Sequence, residues 1–389
     1  MKNIDYRKYS DVVLFDVTQE AANRLTGRLI RCQNLEDRLG RNAAAKSFRD
    51  EGTELWRDRY TVDPFDREGQ IRLMRTWLAR RAELSSVVQK LEAETLEETS
   101  SLDEAALEEI WLREIRPRLE LTSQAPEGTP VTVLLGGQPG AGKSRSGLLA
   151  QKMHAGAHLV AVIGDDVRPA HPDYDQAVTE DPLNMPHITA EASGRWIARS
   201  VDHVREQGRS LLLEGTWRSP ETVLGGAKSS KRVGHLVHAV LVGVPAEMSR
   251  LGSLERYYRD RDAGFDARWT PPSAHNAAVS GLPATIATLT ESDDVDRFSI
   301  VARDGQILYD DENNSRGSAA AMAAFETVQN RPLSAEELAV WNETAQELHE
   351  LHLKHTPDDP DAIEAWRRIL TVDRETLESR SEQNRSSAD

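Results

Sequence analysis

Apolar positions along the chain fall into three regimes. Leu25, Leu29, Cys32 and Leu39 recur at helical spacing, and so do Ile71, Met74, Leu78, Val88 and Leu91. Residues 1–100 therefore read as a helical N-terminal region. Thr61-Val62-Asp63-Pro64-Phe65-Asp66 interrupts it, because the residue before a proline is driven out of the helical backbone region. Asp66 is the predicted N-cap of the next helix. The middle of the chain changes period. Short β-branched and apolar runs at Val131–Leu135, His158–Ile163, Leu211–Leu213 and Leu236–Val244 predict strands. Helical patterns separate them, including Ala190–Gln207 and Pro245–Arg261. Phe298–Ala302 and Gln306–Tyr309 flank Asp304-Gly305, a hairpin signal expected at a sheet edge. Alternation of this kind predicts an α/β domain with a mainly parallel sheet over residues 101–328. Residues 329–389 return to a helical pattern. Ser334 fits the N-cap and Glu337 the third helical position of a capping box, and the polar end from Ser379 is expected to fray.

Composition narrows the class. Of the 389 residues 39% are apolar, enough for a packed core, and no apolar run is long enough to span a bilayer. The first residues lack the apolar stretch of a signal peptide. The single cysteine, Cys32, can form neither an internal disulfide nor a multi-thiolate zinc site. These features predict a soluble cytoplasmic protein with no membrane partner. The net charge of -16 argues against a whole-protein grip on nucleic acid, so no nucleic-acid partner is expected.

The sharpest local signal is Gly137-Gln138-Pro139-Gly140-Ala141-Gly142-Lys143-Ser144, which fits G-x-x-x-x-G-K-[ST] between a predicted strand and a predicted helix. Glycines let the backbone turn so that several N–H groups face one anion, and the following helix aims its positive end at the same place. Lys143 is expected to reach the β- and γ-phosphates of ATP, and the Ser144 hydroxyl to ligate Mg²⁺. Gly137, Gln138, Pro139, Gly140, Ala141 and Gly142 complete the cradle. The fold class that follows is α/β, a P-loop kinase core with a mainly parallel sheet, flanked by helical N- and C-terminal extensions.

Three further stretches carry candidate chemistry. The second predicted strand ends in Gly164-Asp165-Asp166-Val167-Arg168, followed by His171-Pro172-Asp173-Tyr174. Ligands bind at the carboxyl ends of parallel strands, where a carboxylate can take a proton from an acceptor hydroxyl. Either Asp165 or Asp166 could instead cap a helix, and His171, before a proline in a turn, reads as structural. Leu211-Leu212-Leu213 runs into Glu214-Gly215-Thr216-Trp217-Arg218, which sets an acid, a hydroxyl and a phosphate-directed guanidinium within five residues. Beyond it lie Glu255-Arg256-Tyr257-Tyr258, Arg259, Arg261 and Arg268. Small-molecule kinases close mobile arginine-rich segments over the moving phosphoryl group. Glu255, Arg259 and Arg261 equally fit ordinary surface charges.

The order Gly-Gly-Gln-Pro-Gly-Ala-Gly-Lys-Ser, Asp-Asp-Val-Arg with His-Pro-Asp-Tyr, Glu-Gly-Thr-Trp-Arg, and Leu-Gly-Ser-Leu-Glu-Arg-Tyr resembles the zeta toxins of bacterial toxin–antitoxin systems, over about Ala105 to Asp310. The resemblance implies a P-loop kinase that phosphorylates UDP-N-acetylglucosamine, or a related UDP-sugar, at the sugar 3′-hydroxyl with ATP and Mg²⁺, poisoning cell-wall synthesis. It implies Asp165 as the base, with Asp166 as second choice, and Lys143, Arg256 and Arg268 on the moving phosphoryl group. Asp166, Arg168, Glu214, Thr216 and Arg218 fall on the substrate side, with Ser144 and Glu214 toward the metal. His275-Asn276 resembles an Ala-His-Asp stretch of relatives. Where some members carry a substrate-side Glu, equal spacing puts Ala198 here. The resemblance also implies an antitoxin in trans, or the N-terminal region acting as an inhibitory segment in cis; residues 1–100 equally fit an accessory domain that packs on the core or binds a partner. Two other classes share the same loop: a different small-molecule P-loop kinase, such as an antibiotic or nucleoside phosphotransferase, and a nucleotide-switched binding module. The C-terminal extension carries 14 acidic and 7 basic residues from Arg331 onward and suggests no chemistry of its own.

Overall fold

The computed structural model describes residues 6–95, 102–182, 184–264 and 267–386. Its strands are β1 (Val131–Gly136), β2 (Val160–Val162), β3 (Leu211–Gly215), β4 (Leu236–Val242), β5 (Arg297–Val301) and β6 (Ile307–Asp311). The chain forms two units: Pro126–Leu159 with everything from Leu212 onward, and Tyr6–Ala125 with Val160–Leu211.

In the first unit the strand order is β3-β1-β4-β5-β6. Strand β1 pairs parallel to β4, with Val131 opposite Leu236 and Gly136 opposite Leu241. Strand β5 pairs parallel to β4, and β6 closes antiparallel on β5, with Phe298 opposite Asp311. All six residues of β1 are buried, as expected for a strand covered on both faces. The Asp304-Gly305 turn forms as predicted, Gly305 supplying φ +92. Helix Pro272–Thr290 covers the sheet through Leu282, Ile286 and Leu289, which join Trp217, Phe298 and Phe325 in one core.

The C-terminal extension builds a second core in this unit. Helices Ala335–His355, Pro360–Arg368 and Arg374–Ser386 bring Trp341, Leu348, Trp366 and Leu377 onto Leu251, Leu254, Tyr257 and Tyr258 of helix Ala246–Asp262. The Ser334–Glu337 capping box is present in both directions. The fraying expected from Ser379 does not hold at Ser381, which is buried and whose hydroxyl donates to the Leu333 carbonyl at 3.1 Å; residues 387–389 lie outside the described residues.

In the second unit three long helices, Asp11–Arg38, Asn42–Tyr60 and Arg67–Glu94, pack around Leu14, Leu29, Trp56, Met74 and Leu84. Asp66 caps the third, accepting from the Gly69 N–H. The sequence pattern ran through Leu39, but the first helix stops before it, and Gly40 at φ +71 turns the chain. Strand β2 is shorter than its apolar run because His158 takes a left-handed backbone, φ 52. The Val160 N–H bonds the Ser210 carbonyl at 2.9 Å. Tyr174 fills the space over Gly27, where a Cβ would lie 2.5 Å from its ring. Arg28 reaches the buried Asp175 at 2.6 Å. The N-terminal helices and the segment after β2 thus share one core. Among the described residues no helix is long and apolar enough to cross a membrane.

Candidate active site

The first unit carries the glycine loop between β1 and helix Lys143–Met153. Gly140 (φ +74) and Gly142 (φ +90) hold left-handed conformations that favour glycine. Gly142 sits at the N-cap without a side-chain cap bond, so the first-turn N–H groups are presented to the loop. The Lys143 ammonium donates to the Gln138 carbonyl at 3.2 Å, curling back over the loop. Gln138 is fully buried and anchors the loop by donating its amide to the Val244 carbonyl at 2.9 Å.

Neighbouring elements fix this loop tightly. A Cβ on Gly140 would lie 2.1 Å from the Ser249 carbonyl oxygen and 2.6 Å from the Ser253 hydroxyl, so the first turns of helix Ala246–Asp262 lie directly on the loop. Arg303 donates to the Gly140 carbonyl at 2.5 Å, to Ala141 at 3.3 Å and to Met248 at 3.3 Å. Sequence reasoning missed Arg303, because its partners are backbone carbonyls far away in the chain. His275 is buried and shares a 2.9 Å bond with the Ser249 hydroxyl. Burial, helped by the Arg250 charge, pushes its imidazole down to about 3, so it stays neutral.

The Glu214–Arg218 turn belongs to the same unit. Trp217 takes a left-handed backbone (φ 54), and its ring covers Gly136, where a Cβ would lie 2.0 Å away. Thr285 holds the Trp217 carbonyl at 2.8 Å. The turn is therefore pinned beside the end of β1, one residue before the glycine loop. Glu214 and Thr216 are half-buried, and Arg218 is exposed. Ser144 and Glu214 are hard oxygen donors, the kind Mg²⁺ takes alongside phosphate oxygens.

Of the arginines, Arg256 donates to the Thr270 hydroxyl at 3.3 Å. Tyr257 packs edge-on against Trp269, ring centres 4.8 Å apart. The helix and the 267–270 segment, with half-buried Arg268, thus come together. Glu255 and Arg259 are not surface charges. Both are buried and paired at 3.2 Å, and Arg259 also reaches Glu347 at 3.3 Å. The polar pattern hid this, since the partner lies 88 positions onward.

In the second unit Asp165 and Asp166 lie in the short helix Gly164–Val167 after β2. Asp165 is half-buried, with Arg168 at 3.4 Å. Arg168 also donates to the Pro186 carbonyl at 3.1 Å. Asp166 is buried, and Arg59 of the N-terminal helices donates to its Oδ1 at 2.5 Å. Asn23 donates to the Asp165 carbonyl at 3.3 Å and to Asp166 Oδ1 at 3.4 Å. Burial pushes the Asp166 carboxyl above its ordinary range, with Arg59 and Asn23 opposing. Nothing in the sequence around Asn23 or Arg59 singled them out. His171 is buried, and its Nδ1 accepts from the Asp173 N–H at 3.2 Å, the structural part expected of it.

In comparison with known proteins, the zeta toxin family model matches residues 118–314, which hold the glycine loop, the acid segment, the Glu214–Arg218 turn and the arginine helix, and not the N-terminal helices. The chain is similar to the zeta toxin of Enterococcus hirae, 27% identical over 213 residues covering 54% of this chain and 73% of that protein. It is similar to the toxin PezT of Streptococcus pneumoniae, 30% identical over 191 residues covering 49% and 75%. A solved structure from the PezAT chromosomal toxin–antitoxin system of that organism aligns with a TM-score of 0.55 at 25% identity, over 64% of this chain and 98% of that one.

Proposed function

The chain belongs to the zeta toxin family, and from that premise we propose that it transfers the γ-phosphoryl group of ATP to the 3′-hydroxyl of UDP-N-acetylglucosamine or a related UDP-sugar in the cytoplasm. One observation carries the reading: a glycine loop with two left-handed glycines, an uncapped helix start behind it and Lys143 curled over it. Such a loop binds a chain of phosphates through backbone N–H groups.

In this reading Lys143 holds the β- and γ-phosphates, and Gly137 to Ser144 cradle them. Ser144 and Glu214 would hold Mg²⁺, which when bound would supply charge neutralisation on the phosphate oxygens. Asp165 takes the proton of the sugar alcohol. Arg256 and Arg268 stabilise charge on the phosphoryl group as it moves. Asp166, Arg168, Thr216 and Arg218 orient the sugar nucleotide. Catalysis is mostly positioning and electrostatics.

The N-terminal region acts in cis on the acid segment. Arg59 and Asn23 occupy the Asp166 carboxylate and the Asp165 carbonyl, groups a sugar nucleotide would otherwise address. The solved PezAT relative belongs to a toxin–antitoxin system; in this reading the present chain carries a restraint within itself, and an antitoxin in trans adds to it.

The test is incubation of the full chain with ATP, Mg²⁺ and a panel of UDP-sugars, read by mass spectrometry, beside the same panel with aminoglycosides and nucleosides. One added phosphate on a UDP-sugar supports the reading. Phosphate on an antibiotic or nucleoside alone replaces it with another small-molecule kinase. Nucleotide binding with no transfer replaces it with a switched binding module.

A further inference from the structure

Helix Ala246–Asp262 does two things at once. Its first turns lie on the glycine loop, through the Ser249 carbonyl at Gly140 and through Arg303, which bonds both Gly140 and Met248. Its other faces are held by the C-terminal extension. Arg250, one residue after Ser249, donates to Asp373 Oδ2 at 2.7 Å and to Asn276 Oδ1 at 3.3 Å. Asp373 is 2% exposed, with Arg368 at 3.5 Å from its other oxygen. Arg380 bonds Glu247 at 3.3 Å. Farther along, the Tyr258 hydroxyl meets His352 at 3.1 Å and Thr356 at 2.8 Å. Asp262 meets Lys354 and His355.

The local form of the chain at Asp373 supports a positioning role. Residues Ile369–Asp373 make a π-helical turn between two α-helices. Such wide turns are uncommon and often mark functional positions. Burial pushes the Asp373 carboxyl up and the Arg250 guanidinium down, each offset by the other, so neither charge is tolerated there without its partner.

We propose that the C-terminal extension is a brace for the phosphate loop, and that Asp373 is its positioning residue: it fixes Arg250, and through it the helix turn that lies on Gly140. The kinetic consequence rests on the function proposed above, but the mechanical one does not. Asp373 touches no substrate in this account. It acts by keeping the Gly140–Gly142 backbone in its anion-binding shape and the Arg256 helix in register with it.

The test uses the full chain with Asp373→Asn, the conservative Asp373→Glu, and Ser334→Ala as a control that loosens the C-terminal helices without touching Arg250. Amide hydrogen exchange is read over residues 137–144 and 246–262, Mg·ATP affinity by calorimetry, and kcat and KM by phosphate transfer. Asp373→Asn is expected to speed exchange in both segments and to weaken Mg·ATP binding, each about tenfold. It should lower kcat as well, whereas a merely structural aspartate would change stability alone. Asp373→Glu should recover most of both, and Ser334→Ala should move neither. Faster exchange confined to residues 335–386, with Mg·ATP affinity unchanged, overturns the proposal. If Asp373→Asn does not fold, Arg380→Gln is read the same way: faster exchange at 137–144 supports the brace, and its absence overturns it. A wild-type chain that binds Mg·ATP without phosphorylating any sugar nucleotide sinks the proposed acceptor, while the exchange and affinity results still decide on the brace.

Discussion

Two buried arginine–aspartate pairs tie the flanking helices to the two candidate segments, with opposite polarity. At the acid segment the extension supplies the arginine: Arg59 binds Asp166, a residue of the core motif. At the arginine helix the extension supplies the acid: Asp373 binds Arg250. Both carboxylates are nearly sealed from solvent. The difference lies in which partner the extension engages. Arg59 occupies an oxygen in the motif that the proposed reaction assigns to substrate. Asp373 occupies a guanidinium outside every motif and leaves the loop backbone and Arg256 unblocked. In the roles proposed above, the same kind of bond restrains in one unit and supports in the other.

The largest effects test whether both segments serve one reaction. Lys143→Ala should cut phosphate transfer by about a thousandfold or more, because the loop loses the ammonium that the proposed function assigns to the β- and γ-phosphates. Asp165→Ala should cut it by about 10²- to 10⁴-fold. Single-turnover assays with radiolabelled ATP measure both. Normal turnover in Asp165→Ala would remove the base assignment and break the comparison at its first term.

The next effect is on stability. Arg59→Ala leaves the Asp166 carboxylate buried and unpaired, and should cost about 3–5 kcal/mol in urea unfolding. Asp166→Asn in the same background should recover part of that loss. A double-mutant cycle with no coupling would mean the pair is not a tie.

Acid pH sharpens the comparison between units. His238 is buried in β4, between His154 at 2.8 Å and the Ser299 hydroxyl at 2.7 Å, and burial pushes it down to about 3. His275 is likewise pushed down to about 3. Both belong to the first unit. A histidine that is neutral when folded binds its proton only in the unfolded chain, so its stabilising effect fades as pH falls below the ordinary value. Each should contribute a loss of about 1.4 kcal/mol per pH unit between pH 6.5 and 3. Urea unfolding at pH 7, 6 and 5 should show the slope, and His238→Gln should reduce it by about the share of one group. An unchanged slope would contradict the assignment.

The smallest effects are the caps. Ser334→Ala and Asp66→Ala each remove one N-cap bond and should cost about 1 kcal/mol in thermal unfolding. They set a baseline for loosening either extension without touching its arginine–aspartate pair.

What was legible in the sequence follows from how local each signal is. The glycine loop, the Asp304-Gly305 hairpin, the Asp66 cap and the Ser334–Glu337 box are written within a few residues, so they read correctly. The ends of elements did not, as at His158 and Leu39, where a left-handed residue or a glycine stops the element against its apolar pattern. The ties that hold the candidate segments were not legible at all. Asn23 and Arg59 meet the Asp165–Asp166 segment across more than a hundred positions, and Asp373 meets Arg250 across 123. In one sequence a buried charge looks like a solvated one until its partner is placed, which is why Glu255 and Arg259 read as surface.

One measurement tests the opposite polarity most directly: the initial rate of phosphate transfer to UDP-N-acetylglucosamine by the full chain carrying Asn23→Ala with Arg59→Lys, set beside Asp373→Asn. The account predicts a rate above wild type when the N-terminal grip on the acid segment is loosened, and a rate below wild type when the C-terminal brace is. A fall in both, with the proteins still folded, would contradict it.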